Sequence, residues 1–239
     1  AYGQAGSVSC LPVTTAGSNP FTRTGLTPGT SYDFYVRDSC GSGDVSNWVG
    51  PVTFNTPCAT VAAPYSEDFD LNFDEGNGWS NSGSTIDICW SRTPSTGTGT
   101  PWWNQPYHWG GGTGTTPSGN TGPSSDHTSG NGSYAYIEAS GGNGTSADLF
   151  SPIIDLDTLS NPELVFWKHQ YGNQMGTFSV AVSVNGGAYS TIHTSSGDQG
   201  NSWIQVKLPL SAASLGDSIQ LRFRGQKPSG GGSTRGDVA

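Results

Sequence analysis

The sequence has 239 residues, a formal net charge of −9 at pH 7 and only 9 lysines and arginines. So few cations argue against nucleic acid as a partner, and no apolar run reaches the roughly 20 residues of a membrane helix. Proteins, neutral polysaccharides and cations remain as partners. With 36 glycines, 15 prolines and 32% hydrophobic residues, the composition predicts an all-β fold of short strands and many turns.

Residues 1–57 contain two predicted strands with a turn before the first. "SYDFYVR" (31–37) alternates apolar and polar residues after the Pro-Gly turn of "GLTPGT", and "GPVTFNTP" (50–57) follows. This order resembles the second half of a fibronectin type III domain, an immunoglobulin-like sandwich. Leu26 and Tyr32 match its tyrosine corner, so the phenol of Tyr32 is expected to bond to upstream backbone. We expect a partial domain at 1–57, a linker at 58–63, and a parent chain with further domains.

Residues 64–239 contain a longer series of predicted strands. In "TFSVAVSVNG", Phe178, Val180 and Val182 alternate with polar or small residues before an Asn-Gly hairpin turn. The other predicted strands are EDFD, SYAYIEA, ADLFSPIIDL, PELVFWKHQY, AYSTIHTS, WIQVKLPL and SIQLRFRG. About eight to ten antiparallel strands in such a segment predict a jelly-roll β-sandwich.

The order of five motifs carries a resemblance to a family. "TGPSSDHTSGNGSYAYIEAS", "ADLFSPIIDL", "LVFWKHQYGNQMGTFSVAV", "GNSWIQVKLPL" and a terminal "GDVA" resemble a MAM domain, the extracellular module named after meprin, the A5 antigen and a receptor phosphatase. The resemblance spans residues 64–239 and implies a non-catalytic module of adhesion and self-association. The family pattern continues into a last strand beyond "GDVA", so we expect the final strand here to be truncated.

The same resemblance implies a structural calcium or sodium ion where the first strand, the Asp126 loop and the last strand meet. Its candidate ligands are Glu67, Asp68, Asp70, Asp126 and Asp237, since hard cations prefer oxygen ligands. The alternative is that these carboxylates accept hydrogen bonds from backbone amides in turns. The neighbouring Asp126 and His127 are not expected to form a catalytic dyad, because adjacent side chains of an extended chain point apart.

An aromatic loop precedes the Asp126 motif. The proposed sugar contacts are Trp102, Trp103, Asn104, Gln105, Tyr107, His108 and Trp109. Exposed rings can stack on a neutral glycan while the amides and the imidazole bond its hydroxyls. The alternative is that the loop packs against the edge of the sandwich.

Four cysteines, Cys10, Cys40, Cys58 and Cys89, lack metal-site spacing. The composition suits a secreted or cell-surface protein, in which disulfides can form. Cys40 with Cys58 is the favoured pair, and Cys89 is equally well explained as a buried thiol. We therefore expect that the protein is not an enzyme and that it is an extracellular adhesion or recognition module that binds a protein or itself. The alternative is a carbohydrate-binding accessory module.

Overall fold

The computed structural model describes residues 2–4, 22–41, 43–71, 73, 85–94, 107–139, 146–228 and 236–239. Every regular element in these ranges is a β-strand, which confirms the all-β prediction. The chain divides into two compact units, Ala1–Ala59 and Thr60–Ala239. No helix in the described part is long and apolar enough to cross a membrane.

The first unit contains β1 (Tyr2–Gln4), β2 (Ser31–Val36), β3 (Ser39–Gly41), β4 (Asp44–Val45) and β5 (Val49–Asn55). Strands β1, β2 and β5 form one sheet in that order, and β3 pairs with β4. The phenol oxygen of Tyr32 accepts a hydrogen bond from the Thr27 N–H at 2.9 Å, so the predicted corner contact is confirmed. A fibronectin type III domain is not shown by this one contact, and that assignment stays a prediction.

The second unit contains thirteen strands within the described ranges: β6 (Val61–Ala62), β7 (Ser91–Thr93), β8 (Gly110–Thr113), β9 (Ser133–Tyr136), β10 (Ser146–Phe150), β11 (Ile154–Asp155), β12 (Glu163–Lys168), β13 (Gln170–Tyr171), β14 (Thr177–Val184), β15 (Ser190–Ser196), β16 (Ile204–Pro209), β17 (Ser218–Gln226) and β18 (Asp237–Val238). The largest sheet has the order β15-β14-β17-β10-β7, with β11 and β6 attached through β17. Three smaller ladders pair β8 with β9, β12 with β16, and β13 with β18.

The hairpin between β14 and β15 follows the sequence prediction. Asn185 and Gly186 have φ angles of 50° and 70°, as the two central residues of a type I′ turn require. Phe178, Val180 and Val182 are all buried. The alternation therefore predicted the core face of this strand correctly.

The predicted strand at "EDFD" is wrong, because residues 67–70 contain no strand. The Glu67 carboxylate accepts from the Phe69 N–H at 2.9 Å, and the Asp68 carboxylate from the Asp70 N–H at 3.1 Å. Phe69 also has a φ of 65°. Short acidic side chains that bond nearby amides compete with strand pairing.

The core of the second unit lies against the largest sheet. The Trp109 ring meets Phe178 edge-on at 6.4 Å, and its indole N–H donates to the Ala147 carbonyl at 3.1 Å. Gly225 of β17 allows the close approach of Ile137, whose side chain would collide with any Cβ at that position. A single inward-facing glycine thus sets how closely these side chains pack.

The predicted cysteine pairing is wrong. Cys40 is a free, exposed cysteine, whereas Cys58 and Cys89 are both disulfide-bonded. The buried-thiol alternative for Cys89 is therefore wrong as well. Cys40 lies on the short strand β3, where its side chain faces solvent instead of another cysteine.

Candidate functional site

The loop at residues 121–132 is organised by Asp126. One carboxylate oxygen accepts from the Thr128 and Ser129 N–H groups at 2.9 and 2.7 Å. The other accepts from the Gly132 N–H at 2.8 Å and the Ser129 hydroxyl at 3.1 Å. Partial burial acts to raise the pKa of Asp126, but these hydrogen bonds outweigh it and hold the pKa below its ordinary value. Asp126 therefore acts as the acceptor that fixes the loop.

The His127 ring contacts a different part of the structure from the Asp126 carboxylate. Its imidazole stacks on the Trp167 indole, with ring centroids 3.6 Å apart and planes 16° from parallel. The only hydrogen-bond partner of its ring nitrogens in the described structure is the adjacent Thr128 hydroxyl, at 3.4 Å. Asp126 and His127 consequently do not form an acid–base pair, although they are adjacent in sequence.

The stacked pair belongs to a larger aromatic cluster, which consists of His127, Tyr134, Trp167, His169 and Trp203. The Trp203 ring lies edge-on to Tyr134 at 6.0 Å and to His169 at 5.4 Å. Its indole N–H donates to the Ser125 carbonyl at 3.1 Å. Because Trp167 is 39% exposed, the cluster presents an ordered aromatic surface to solvent.

A groove of ≈ 380 Å³ lies beside the aromatic cluster and includes residues of β12 and of the segment 63–69. Apolar side chains supply much of its lining, among them Leu164, Phe166, Leu210, Leu221 and Phe223. Among the described residues that line it, the charged side chains are those of Glu67, Asp68, Asp126 and Glu163, and none is a lysine or an arginine. The groove therefore combines an apolar interior with a negative rim.

Two further predicted cation ligands already have hydrogen-bond donors. Glu67 accepts from the Tyr65 hydroxyl at 2.8 Å and the Trp90 indole N–H at 3.1 Å. Asp70 accepts from the Ser133 N–H at 2.6 Å. Glu67 thus links the 65–70 segment to itself and to Trp90, and Asp70 links it to β9. These hydrogen bonds agree with the alternative in which the carboxylates stabilise turns.

Asp237 is fully buried, with 0% of its surface exposed to solvent. It accepts from the Ala139 N–H at 3.0 Å and the Thr121 hydroxyl at 2.9 Å. Burial and, to a smaller extent, the nearby charge of Glu138 raise the pKa of Asp237 to about 7.

The five predicted ligands do not form one cation site in this geometry. Among the described residues, no three or more His, Cys, Asp or Glu side chains come together in a way that could hold a metal ion. The backbone amides and hydroxyls described above occupy oxygens that a calcium or sodium ion would need. Cation binding stays a prediction without support from the donor set.

The aromatic loop predicted to bind sugar is only partly described. Tyr107, His108 and Trp109 are buried, and Trp109 packs in the core, so their faces are not available to a glycan. Trp102, Trp103, Asn104 and Gln105 lie outside the described residues. Sequence reasoning missed Trp167 and Trp203, although Trp167 occupies an outward position of an alternating strand, a signal that could have identified it.

The all-β architecture is consistent with a jelly-roll β-sandwich, and comparison with known proteins names the family. Residues 72–239 match the model of the MAM domain, meprin/A5/mu. The chain belongs to this family.

Curated relatives match a shorter region. The chain is 39% identical over 92 residues to Neuropilin-1a of Danio rerio and 36% identical over 93 residues to Neuropilin-1 of Xenopus laevis. These matches cover 37% and 38% of this chain and 10% of each relative. The chain therefore spans about a tenth of the length of these relatives.

Among solved structures, the chain is similar to the K1 cleaved adhesin domain of Lys-gingipain from Porphyromonas gingivalis W83. The match has a TM-score of 0.37 and 16% identity, and covers 63% of this chain and 93% of the adhesin domain. A score of this size does not establish a shared topology.

Proposed function

We propose that the chain is a non-catalytic extracellular recognition module that binds a protein partner or a second copy of itself. Membership of the MAM family, whose members are modules of extracellular proteins, supports this function. The observation that carries it is the aromatic cluster, in which Trp167 is exposed yet held by His127. Aromatic side chains that are already ordered lose little entropy on binding and often dominate protein interfaces.

The chemistry of the Asp126 loop supports a binding role over a catalytic one. A general base needs a free lone pair directed at a reacting proton. Four donors from the loop surround the Asp126 carboxylate, and the His127 ring lies flat on Trp167. Asp126 therefore stabilises the loop and His127 packs against Trp167. Neither residue is arranged to activate a nucleophile.

The test compares the self-association of two matched variants. Trp167→Ala removes the exposed ring of the cluster, and Leu215→Ala removes a side chain that is 59% exposed elsewhere in the same unit. Sedimentation velocity from about 1 to 100 μM would measure self-association, a range that covers weak and moderate affinities. We expect Trp167→Ala to weaken association about tenfold or more and Leu215→Ala to leave it unchanged.

Two results would contradict the proposal. Hydrolysis of a substrate by the purified chain would make it an enzyme. Binding on a glycan array that disappears when Trp102→Ala and Trp103→Ala are combined, with no protein association, would favour carbohydrate recognition instead.

A further inference from the structure

The largest sheet of the second unit has one face directed away from the core. Leu221 and Phe223 of β17 belong to the core clusters or pack against them, so Arg222 and Arg224 lie on the outer face. Strands β15, β14, β17, β10 and β7 contain a single acidic residue, Asp148, although the chain has 18 Asp and Glu. This face therefore carries two arginines and one carboxylate on a protein that is acidic as a whole.

The two arginines differ in how their charge is compensated. Arg224 donates from Nε and Nη2 to the two carboxylate oxygens of Asp148, each at 2.6 Å. The Nε of Arg222 comes no closer than 4.0 Å to this carboxylate, and it is buried without a hydrogen-bond acceptor among the described residues. The exposed fraction of the Arg222 side chain is 21%. Because its Nε is buried, a ligand can reach Arg222 through the two terminal nitrogens, Nη1 and Nη2.

A chain of contacts holds the Arg222 guanidinium in position. Its central carbon lies 4.8 Å from the centre of the Tyr189 ring. The Tyr189 hydroxyl donates to the Gln220 side-chain oxygen at 2.6 Å, and the Gln220 amide donates to the Ser151 carbonyl at 3.0 Å. The Phe150 ring also contacts Tyr189, with ring centroids 5.8 Å apart. A cation that is already ordered in this way loses little conformational entropy when it binds a ligand.

We propose that this outer face binds a short acidic segment of a partner protein, with a carboxylate of that segment on the terminal nitrogens of Arg222. A planar guanidinium offers two parallel N–H donors that match a carboxylate. Arg222 already covers one face of the Tyr189 ring, so that face is not free to stack on an acidic sugar. A whole second copy is disfavoured because it would bring one net charge of −9 against another. The inference goes beyond the proposed function, since this face shares no residue with the aromatic cluster.

The probe is a synthetic peptide of about eight residues in which glutamate and threonine alternate, which places the carboxylates on one side of an extended chain. Its control has glutamine in place of every glutamate. Binding to the 239-residue chain is measured by fluorescence anisotropy, and the Nε–H resonance of Arg222 is followed by NMR. We expect the glutamate peptide to shift this resonance and to bind with a Kd below about 1 mM. The glutamine peptide should bind about tenfold more weakly or less.

Three variants test the role of Arg222 in the full chain. Arg222→Gln removes the cation and should weaken binding of the glutamate peptide about tenfold or more. Arg222→Lys keeps the charge but lacks the planar pair of donors, so it should restore part of the lost affinity and not all of it. Lys207→Gln removes a cation from an exposed position of β16, outside the largest sheet, and should leave the affinity within about twofold. Circular dichroism and the Tm of each variant would verify that it is folded.

Four results would overturn the inference. The first two are the absence of peptide binding up to about 1 mM and equal binding by a folded Arg222→Gln variant. Binding of polygalacturonate that requires Arg222, without binding of the peptide, would assign the site to acidic glycans instead. Self-association that requires Arg222 in sedimentation velocity would assign it to a second copy. The Trp167→Ala comparison tests the proposed function separately, so that function survives if peptide binding fails.

Discussion

At the scale of single residues, His169 of the aromatic cluster makes the stability of the fold depend on pH. The ring is buried beside Trp203, and one nitrogen lies 3.1 Å from the Asn201 side-chain oxygen. The other ring nitrogen is buried without a hydrogen-bond partner in the described structure. Burial lowers the pKa of His169, against smaller opposing effects of the Asn201 hydrogen bond and the Asp198 charge.

The sign of the pH effect follows from this shift. Because the neutral ring is favoured in the folded protein, the unfolded chain binds more protons below pH about 6.5, the ordinary value for histidine. The stability contributed by neutral His169 is present above that pH and is lost as pH falls through the lowered folded pKa. We expect His169→Phe to flatten the decline in the free energy of unfolding on acidification, measured by urea denaturation from pH 7.5 to 5.5.

An unchanged slope in His169→Phe would assign the acid sensitivity to other groups. His193 is the first alternative, since burial lowers its pKa too and the charge of Lys168 adds to the effect. A His193→Phe variant measured in the same series would separate the two histidines.

At the scale of elements, the packing of β17 against the opposite layer depends on Gly225. A Cβ at this position would collide with the Ile137 side chain and would lie 3.3 Å from both the Tyr107 hydroxyl and a Val238 methyl. We expect Gly225→Ala to lower the free energy of unfolding by about 1–3 kcal/mol, the usual cost of overpacking. Thermal and urea denaturation would measure the loss.

Gly119→Ala is the matched control for that substitution. No atom lies within 4 Å of a Cβ built at Gly119, and its φ is outside the left-handed region. The change should therefore alter stability by less than about 0.5 kcal/mol. Equal effects of the two substitutions would contradict the packing role assigned to Gly225.

How far the sequence predicts this fold depends on the kind of element. Strands with strict alternation, such as β14, are predicted with their core face, because the face that packs in the core must be apolar. Ala181 and Ser183, on the opposite face of β14, are buried as well, which the alternation does not predict. The segment 67–70 was predicted as a strand and is not one, since its acidic side chains bond their own backbone. The periodicity of a sequence does not reveal local hydrogen bonds of this kind.

The candidate site shows the same limit. Asp126 and His127 stood out because they are adjacent, yet the structure gives each a separate partner. Trp167 and Trp203 read as ordinary strand residues. Both tryptophans contact the ring of His127, which comes from a distant loop. Trp167 stacks on this ring, and Trp203 lies edge-on to it. Contacts between such remote segments require the fold and cannot be read from spacing.

At the scale of the whole molecule, the two units differ in how much apolar surface they bury. Tyr32 is the only buried hydrophobic residue described in the first unit. On the same face as Tyr32, Phe34, Val52 and Phe54 are 41%, 63% and 39% exposed. The second unit contains two clusters of buried apolar side chains. Small sheets that bury little apolar area are marginally stable on their own.

The units should therefore differ when they are produced separately. We expect residues 60–239, with Cys89→Ser to avoid a reactive thiol, to unfold in a cooperative thermal transition, because all described members of the clusters around Phe178 and Leu221 lie within this unit. Residues 1–59 alone should show no cooperative transition and should bind a hydrophobic dye, since the face around Phe34 remains uncovered. Circular dichroism would follow both. A sharp transition in residues 1–59 would show that the short sheet is stable without any covering of its apolar face, and would contradict this account.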